Sequence, residues 1–194
     1  MNADGLTVVA ILYWLALAGW FGAVFFVVMS AATVHRTVEE ADPTLPTVLS
    51  VNLEGRHAAL LGGRIVGDLL GRLWTIELLA MVMLGIATIA EWLLVFRDGR
   101  DVLLPAVRTV LLAAAAGAAW YGNRVLRARA ERHRARYVEV ADDPEASEEA
   151  AGQFNRDQAD ASSLLMIELA MLAGVVLFAA IGLGVPAASV VTLT

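Results

Sequence analysis

Cysteine is absent from the 194 residues, which excludes disulfides, thiolate metal sites, a cysteine nucleophile and haem attachment through C-x-x-C-H. Lysine is absent as well. All 14 basic residues are Arg, so Schiff-base chemistry and a P-loop lysine are closed to this chain. Charge of any kind is scarce at 18%, while 59% of the residues are hydrophobic. Soluble domains carry about 25% charged and about 45–50% apolar residues, and a chain this short cannot hide such a surplus in one core. A water-soluble globule is excluded, and so is intrinsic disorder, which requires low hydrophobicity. The surplus apolar surface must face lipid.

What is present falls into four apolar stretches. The first, residues 6–34, is an uncharged run preceded by Asp4 rather than by a basic segment; it is too long for a signal-peptide core and reads as a retained span. The others are residues 73–96, 102–126 and 162–185. Trp74, Trp92, Trp120 and Tyr121 fall near span ends, where amphipathic rings prefer to lie, whereas Tyr13, Trp14 and Trp20 lie deeper and read as packing residues. The expected fold is all-α: a single integral membrane four-helix bundle, residues 1–194, with helical extensions built from the loops 35–72 and 127–161.

Arginine counts set the orientation. Loops one and three hold eleven Arg and the short second loop only two, Arg97 and Arg100. The positive-inside rule then places loops one and three in the cytoplasm and both termini outside, in the cell (inner) membrane.

The loops carry further pattern. Asp98-Gly99 suits a tight turn between antiparallel helices. The stretch from Arg124 through Arg127, Arg129, Arg132 and Arg134 to Arg136 is basic, and residues 139–160 carry eight acids against one Arg. Asp143-Pro144-Glu145 reads as N-cap, N1 proline and acidic first turn. Span three is therefore expected to continue as a basic helix that pairs with an acidic one leading into span four; the same six Arg also suit anionic lipid headgroups. A solvated loop is the other reading of this region. Gly63, Gly67 and Gly71 repeat every fourth residue, the small-x-x-x-small spacing of close helix packing, and Arg64, Asp68 and Arg72 repeat beside them at ion-pairing distance.

Four ionisable residues lie within spans, where each is costly and is by default a functional hypothesis: Glu77, Glu91, Arg108 and Glu168. Folding the second and third spans about Gly99 brings Glu91 level with Arg108, which predicts a structural ion pair. Glu77 and Glu168 lie at matching depth in matching surroundings, Ile76-Glu77-Leu78-Leu79-Ala80-Met81 against Ile167-Glu168-Leu169-Ala170-Met171. Such a match fits parallel repeats of spans one–two and three–four. Counting from span ends adds Ser30 and Asn123 to the same level, and Arg72 and Arg124 are within reach of it. Two facing carboxylates in low dielectric share a proton, hold a hard cation or pair with Arg; alternatively each Glu is protonated or makes a helix-to-helix hydrogen bond.

Other chemistry finds little footing. The di-iron pattern Glu-x-x-His fails at Ala80 and Met171. His35, His57 and His133 fall outside the spans and read as solvated loop residues, and Met29, Met81, Met83, Met166 and Met171 read as core filling rather than a copper path. No triad spacing suggests hydrolysis, no cofactor is implied, and nothing points to nucleic acid. The leading expectation is a non-enzymatic structural or accessory component acting through helix packing, as a homo-oligomer or in a larger membrane complex. The alternative is a small cation- or proton-handling protein using Glu77 and Glu168.

Trp20-Phe21-Gly22 with Phe25-Phe26, then Gly63-Arg64 through Gly67 to Arg72, the Arg-rich end of span three, and Phe154 through Ser162-Ser163 occur in an order that resembles a family of small four-helix membrane proteins of unknown function typified by transmembrane protein 205. The resemblance covers most of the chain and implies a four-helix integral membrane domain, with no chemistry, substrate or cofactor. Ser30 and the region of Asn123 stand where the family usually has Pro, and Gln158 or a neighbour stands where it has His.

Overall fold

A computed structural model describes residues 3–41, 57–99, 101–140 and 142–184. Its helices are α1 (Ala3–Ala41), α2 (His57–Asp98), α3 (Leu103–Tyr121), α4 (Arg127–Glu139) and α5 (Pro144–Gly184), with a single π-helical turn, Gly122–Leu126, fusing α3 to α4. Four stretches among the described residues are helical, long and apolar enough to cross a membrane. The chain is an all-α, multi-pass membrane protein.

Helix length decides how much lies outside the bilayer. At 1.5 Å per residue the 42 residues of α2 span about 63 Å, twice the roughly 30 Å of a hydrocarbon core. Each candidate span has an apolar stretch long enough to cross, and the charged remainder of α2 and α5, with α4, extends beyond such a stretch. The starts and stops follow local chemistry. Asp143 Oδ1 accepts the backbone N–H groups of Glu145 and Ala146, capping α5 one residue before Pro144. Gly99 turns the chain between α2 and α3 with φ of 61°, a left-handed conformation that favours glycine. Asp101 Oδ1 then accepts the Leu103 N–H at the head of α3.

The helices pack as two pairs, α1 on α2 and α3–α4 on α5, joined chiefly where α1 meets α5. In each pair the partners run antiparallel: His35 lies against Gly62, and Leu111, against Gly174, mirrors Leu164 against Gly122. Leu17, Val24, Leu84, Ala115, Leu172 and Val175 fill the seam between the pairs. Outward-facing residues such as Leu15, Phe26, Leu79, Ile86, Leu93 and Val110 remain exposed, as lipid contact requires. A second, smaller core of Leu60, Tyr137 and Ala150 ties the projecting halves together. The region 127–161 is thus mostly helix, and α1 continues past Val34 to Ala41; residues 42–56, with Arg56, lie outside the described residues, as do Arg100 and Val185.

Basic α4 is held against acidic α5 through Asp157. This carboxylate is 3% exposed, accepts Arg129 Nε at 2.6 Å and has His133 Nδ1 at 2.5 Å, while Arg129 also reaches Asp160. Replacing Asp157 by Asn leaves Arg129 and His133 without their shared partner, so Asp157→Asn is expected to cost about 1–3 kcal/mol. Glu40→Gln, in the exposed Arg36–Glu40 pair, is expected to stay within about 1 kcal/mol. Thermal melts of the two variants in detergent check the contrast.

Candidate functional site

Both α2 and α5 start at the Arg-rich end and run the same way, so residues a similar distance along them reach the same level. Glu77 and Glu168 do so, twenty residues after His57 and twenty-four after Pro144. They face each other between the two helix pairs, near enough for their carboxyl groups to act on one another electrostatically. Both are buried, at 4% and 1% exposed. From the third side the indole Nε1 of Trp20 donates to Glu168 Oε1 at 2.8 Å. Two neighbouring buried carboxyl groups favour a proton or a cation between them, because two adjacent negative charges in low dielectric repel strongly.

A cavity of about 450 Å³ leads from this pair toward the Arg-rich end. Its walls are largely apolar, with Leu70 and Leu73 on one side and Leu126, Leu164 and Leu165 on the other. Asn123 joins the lining from the π turn. Such turns place a side chain off the regular helical stripe and recur at functional sites. Toward the mouth lie His35, Arg64, Asp68 and Arg134, together with Arg127 and Glu131, which pair at 3.0 Å. Two buried donors in this lining, Arg134 Nε and Gln158 Nε2, have no hydrogen-bond partner among the described residues.

Glu77, Glu168 and Asn123 line one cavity, and Ser30 is not in its lining. Trp20 is the α1 residue at the carboxyl level, and Ser30 lies ten residues, about 15 Å, further toward the Arg-rich end. Counting depth from Val34 misplaces it because α1 does not end there. Arg72 and Arg124 are exposed and do not reach inward. Trp20 is the member of this buried cluster that sequence reasoning assigned only to packing. Its signal was available: a mid-span indole N–H must find an acceptor where lipid offers none.

The glycine stripe divides three ways. A Cβ on Gly63 would come within 2.5 Å of Gln158 Nε2 and 2.6 Å of the Phe154 ring, and one on Gly71 within 2.9 Å of the Arg127 guanidinium. Gly67 has open space before it and faces the cavity, a departure from the expected helix contact. Arg64, Asp68 and Arg72 make no ion pair with one another among the described residues. His57 is buried and His133 is paired with Asp157, so neither is the solvated loop histidine expected. Of the six clustered arginines, Arg127 and Arg129 are engaged by acids, while Arg124, Arg132 and Arg136 stay exposed.

At the opposite end the Arg108 guanidinium sits on the Glu91 carboxylate, and Trp92 Nε1 donates to Thr109 Oγ1 at 3.0 Å across the same hairpin. A second cavity of about 320 Å³ opens there, with the buried Tyr13 hydroxyl beside Arg108 but outside hydrogen-bond geometry. The apolar layer of Leu17, Leu84, Leu112 and Leu172 belongs to the core between the two cavities. Among the described residues no group of three or more His, Asp and Glu is placed to hold a metal ion.

No protein-family model, curated protein or solved structure matches the chain. The class is therefore defined by the fold and the buried polar cluster themselves: a four-helix multi-pass membrane protein with an intramembrane carboxyl pair.

Two pairs of substitutions test this geometry. Trp20→Phe keeps most of the ring volume but removes the N–H, leaving a buried Glu168 oxygen short of a donor; a loss of about 1–3 kcal/mol is expected, against little change for half-buried Trp14→Phe. Gly63→Ala is expected to destabilise by about 1–3 kcal/mol through overpacking. Gly67→Ala should be neutral or stabilising by up to about 1 kcal/mol from helix propensity. Thermal melts in one detergent rank all four.

Proposed function

We propose that this protein binds and exchanges a cation, the proton being the simplest, at the Glu77–Glu168 pair. The observation that carries this reading is the pair's position: two neighbouring buried carboxyl groups lining a 450 Å³ cavity. Intramembrane acids that only hold helices together are satisfied by neighbouring helices and need no such opening. Here Trp20 satisfies one oxygen of Glu168, and the cavity supplies a route for an ion to the rest. The chemistry is ion exchange rather than bond making, so the protein is read as non-enzymatic and without a cofactor.

Orientation follows from the Arg distribution. Eleven Arg in loops one and three against two in the turn between α2 and α3 favour the cavity opening to the cytoplasm, with both termini outside, in the inner membrane. Exposed Arg124, Arg132 and Arg136 would offer positive charge to anionic lipid headgroups at that surface. The likeness to the family typified by transmembrane protein 205 is taken as one of architecture.

Proteoliposomes loaded with a pH dye and given a potassium diffusion potential test the reading. Wild-type vesicles are expected to move protons faster than empty liposomes, with Glu77→Gln and Glu168→Gln each returning the rate to that of empty liposomes. Equal rates for wild type, both variants and empty liposomes, with all proteins folded, would leave the accessory, packing role in its place.

A further inference from the structure

The cavity is larger and less polar than an inorganic cation needs. A desolvated ion or proton is served by a few ligands and one or two waters, each water taking about 30 Å³. Here about 450 Å³ lies next to the carboxyl pair, within the roughly 300–1,000 Å³ range of pockets that hold small organic molecules. Polar groups concentrate at its two ends. Glu77 and Glu168 stand at the inner end and the charged side chains at the mouth, while the stretch between is walled by leucines from α2, the π turn and α5. Gly67 adds room in the middle, since nothing stands within 4 Å of where its Cβ would be.

We infer that the occupant of this cavity is a lipophilic organic cation, its positive centre at Glu77 and Glu168 and its apolar body against Leu70, Leu73, Leu126, Leu164 and Leu165. This rests on the proposed cation-exchange reading and names the class of cation. Charge complementarity sets the polarity of the ligand. A buried carboxyl pair repels an anion and gives a neutral molecule no return for displacing the proton or ion between the two groups. The leucine walls reward an apolar body, which a hydrated metal ion lacks. The donors without partners, Arg134 Nε and Gln158 Nε2, belong to the same lining and suit water or an acceptor group on the ligand.

The probe is tetraphenylphosphonium, a permanent cation with no exchangeable proton, in equilibrium dialysis against the purified full chain in detergent. Neutral triphenylphosphine oxide serves as the uncharged control. Wild type is expected to bind the cation saturably and the neutral compound at least about tenfold more weakly. The Glu77→Gln, Glu168→Gln double variant should lose saturable binding. A volume series at Gly67 tests the cavity itself: Gly67→Ala, Gly67→Leu and Gly67→Phe should weaken binding stepwise, Gly67→Leu by about tenfold or more. Size-exclusion profiles and melting curves verify that each variant is folded. Equal binding of the charged and neutral probes, equal binding by wild type and the double Gln variant, or an affinity indifferent to Gly67 volume would each overturn the inference. Glu77-dependent proton movement without saturable phosphonium binding would overturn it alone and leave the cation-exchange reading intact. Absence of both would remove the two together.

Discussion

The hydrogen bond from Trp20 to Glu168 joins the two halves of the molecule by chemistry at mid-length, as Glu91–Arg108 and Trp92–Thr109 join them at the turn end. α1 packs on α2 and α3–α4 packs on α5, each pair antiparallel and largely self-sufficient. Apolar packing alone distinguishes poorly between one rotational setting of two pairs in lipid and another, because lipid tails are as apolar as leucine. A buried carboxyl cannot be indifferent in this way. Glu168 must have a donor, and the indole of α1 is that donor. Once this contact is made, α2 delivers Glu77 to the other side of Glu168, and the seam residues Leu17, Val24, Leu172 and Val175 close around it.

The joint leaves a vacancy as well as making a contact. Helices held together near mid-length by a polar cluster need not stay in contact along their whole length, and around Gly67 a gap opens between α2 and the π turn and α5. Small residues on the facing surfaces, Gly67 on α2 with Ala118, Ala119 and Gly122 beyond it, keep the space open. Phe154 over Gly63 and Arg127 over Gly71 then brace the gap on either side of Gly67. The glycine stripe is thus less a helix-to-helix seam than two seats for long side chains with an opening between them.

How far the sequence was legible depended on how the helices were connected. Glu91 and Arg108 were matched by folding about Gly99, and the structure places one on the other, because so short a turn leaves almost no freedom of register. Asp143 announced the start of α5 because capping is local chemistry, read over four residues. Ser30 was misplaced for the opposite reason. Residues 42–56 separate α1 from α2, so connection length sets no register, and the visible end of the apolar run was not the end of the helix. Trp20's partner, the seating of Arg127 on Gly71 and the burial of His57 depend on which helices become neighbours, which periodicity along one chain does not encode. The π turn left no sequence mark that was read as such.

That turn has a mechanical consequence. Gly122–Leu126 holds one residue more than the regular spiral needs, sitting between a membrane-buried helix and a projecting one. An inserted residue of this kind is a dislocation in a one-dimensional lattice: it can be passed from one turn to the next while every backbone group keeps a partner. Each such step swings the side chain it passes by about 100° around the helix axis. Asn123 sits on the dislocation, so a step there would turn a polar side chain within the lining that Glu77 and Glu168 share.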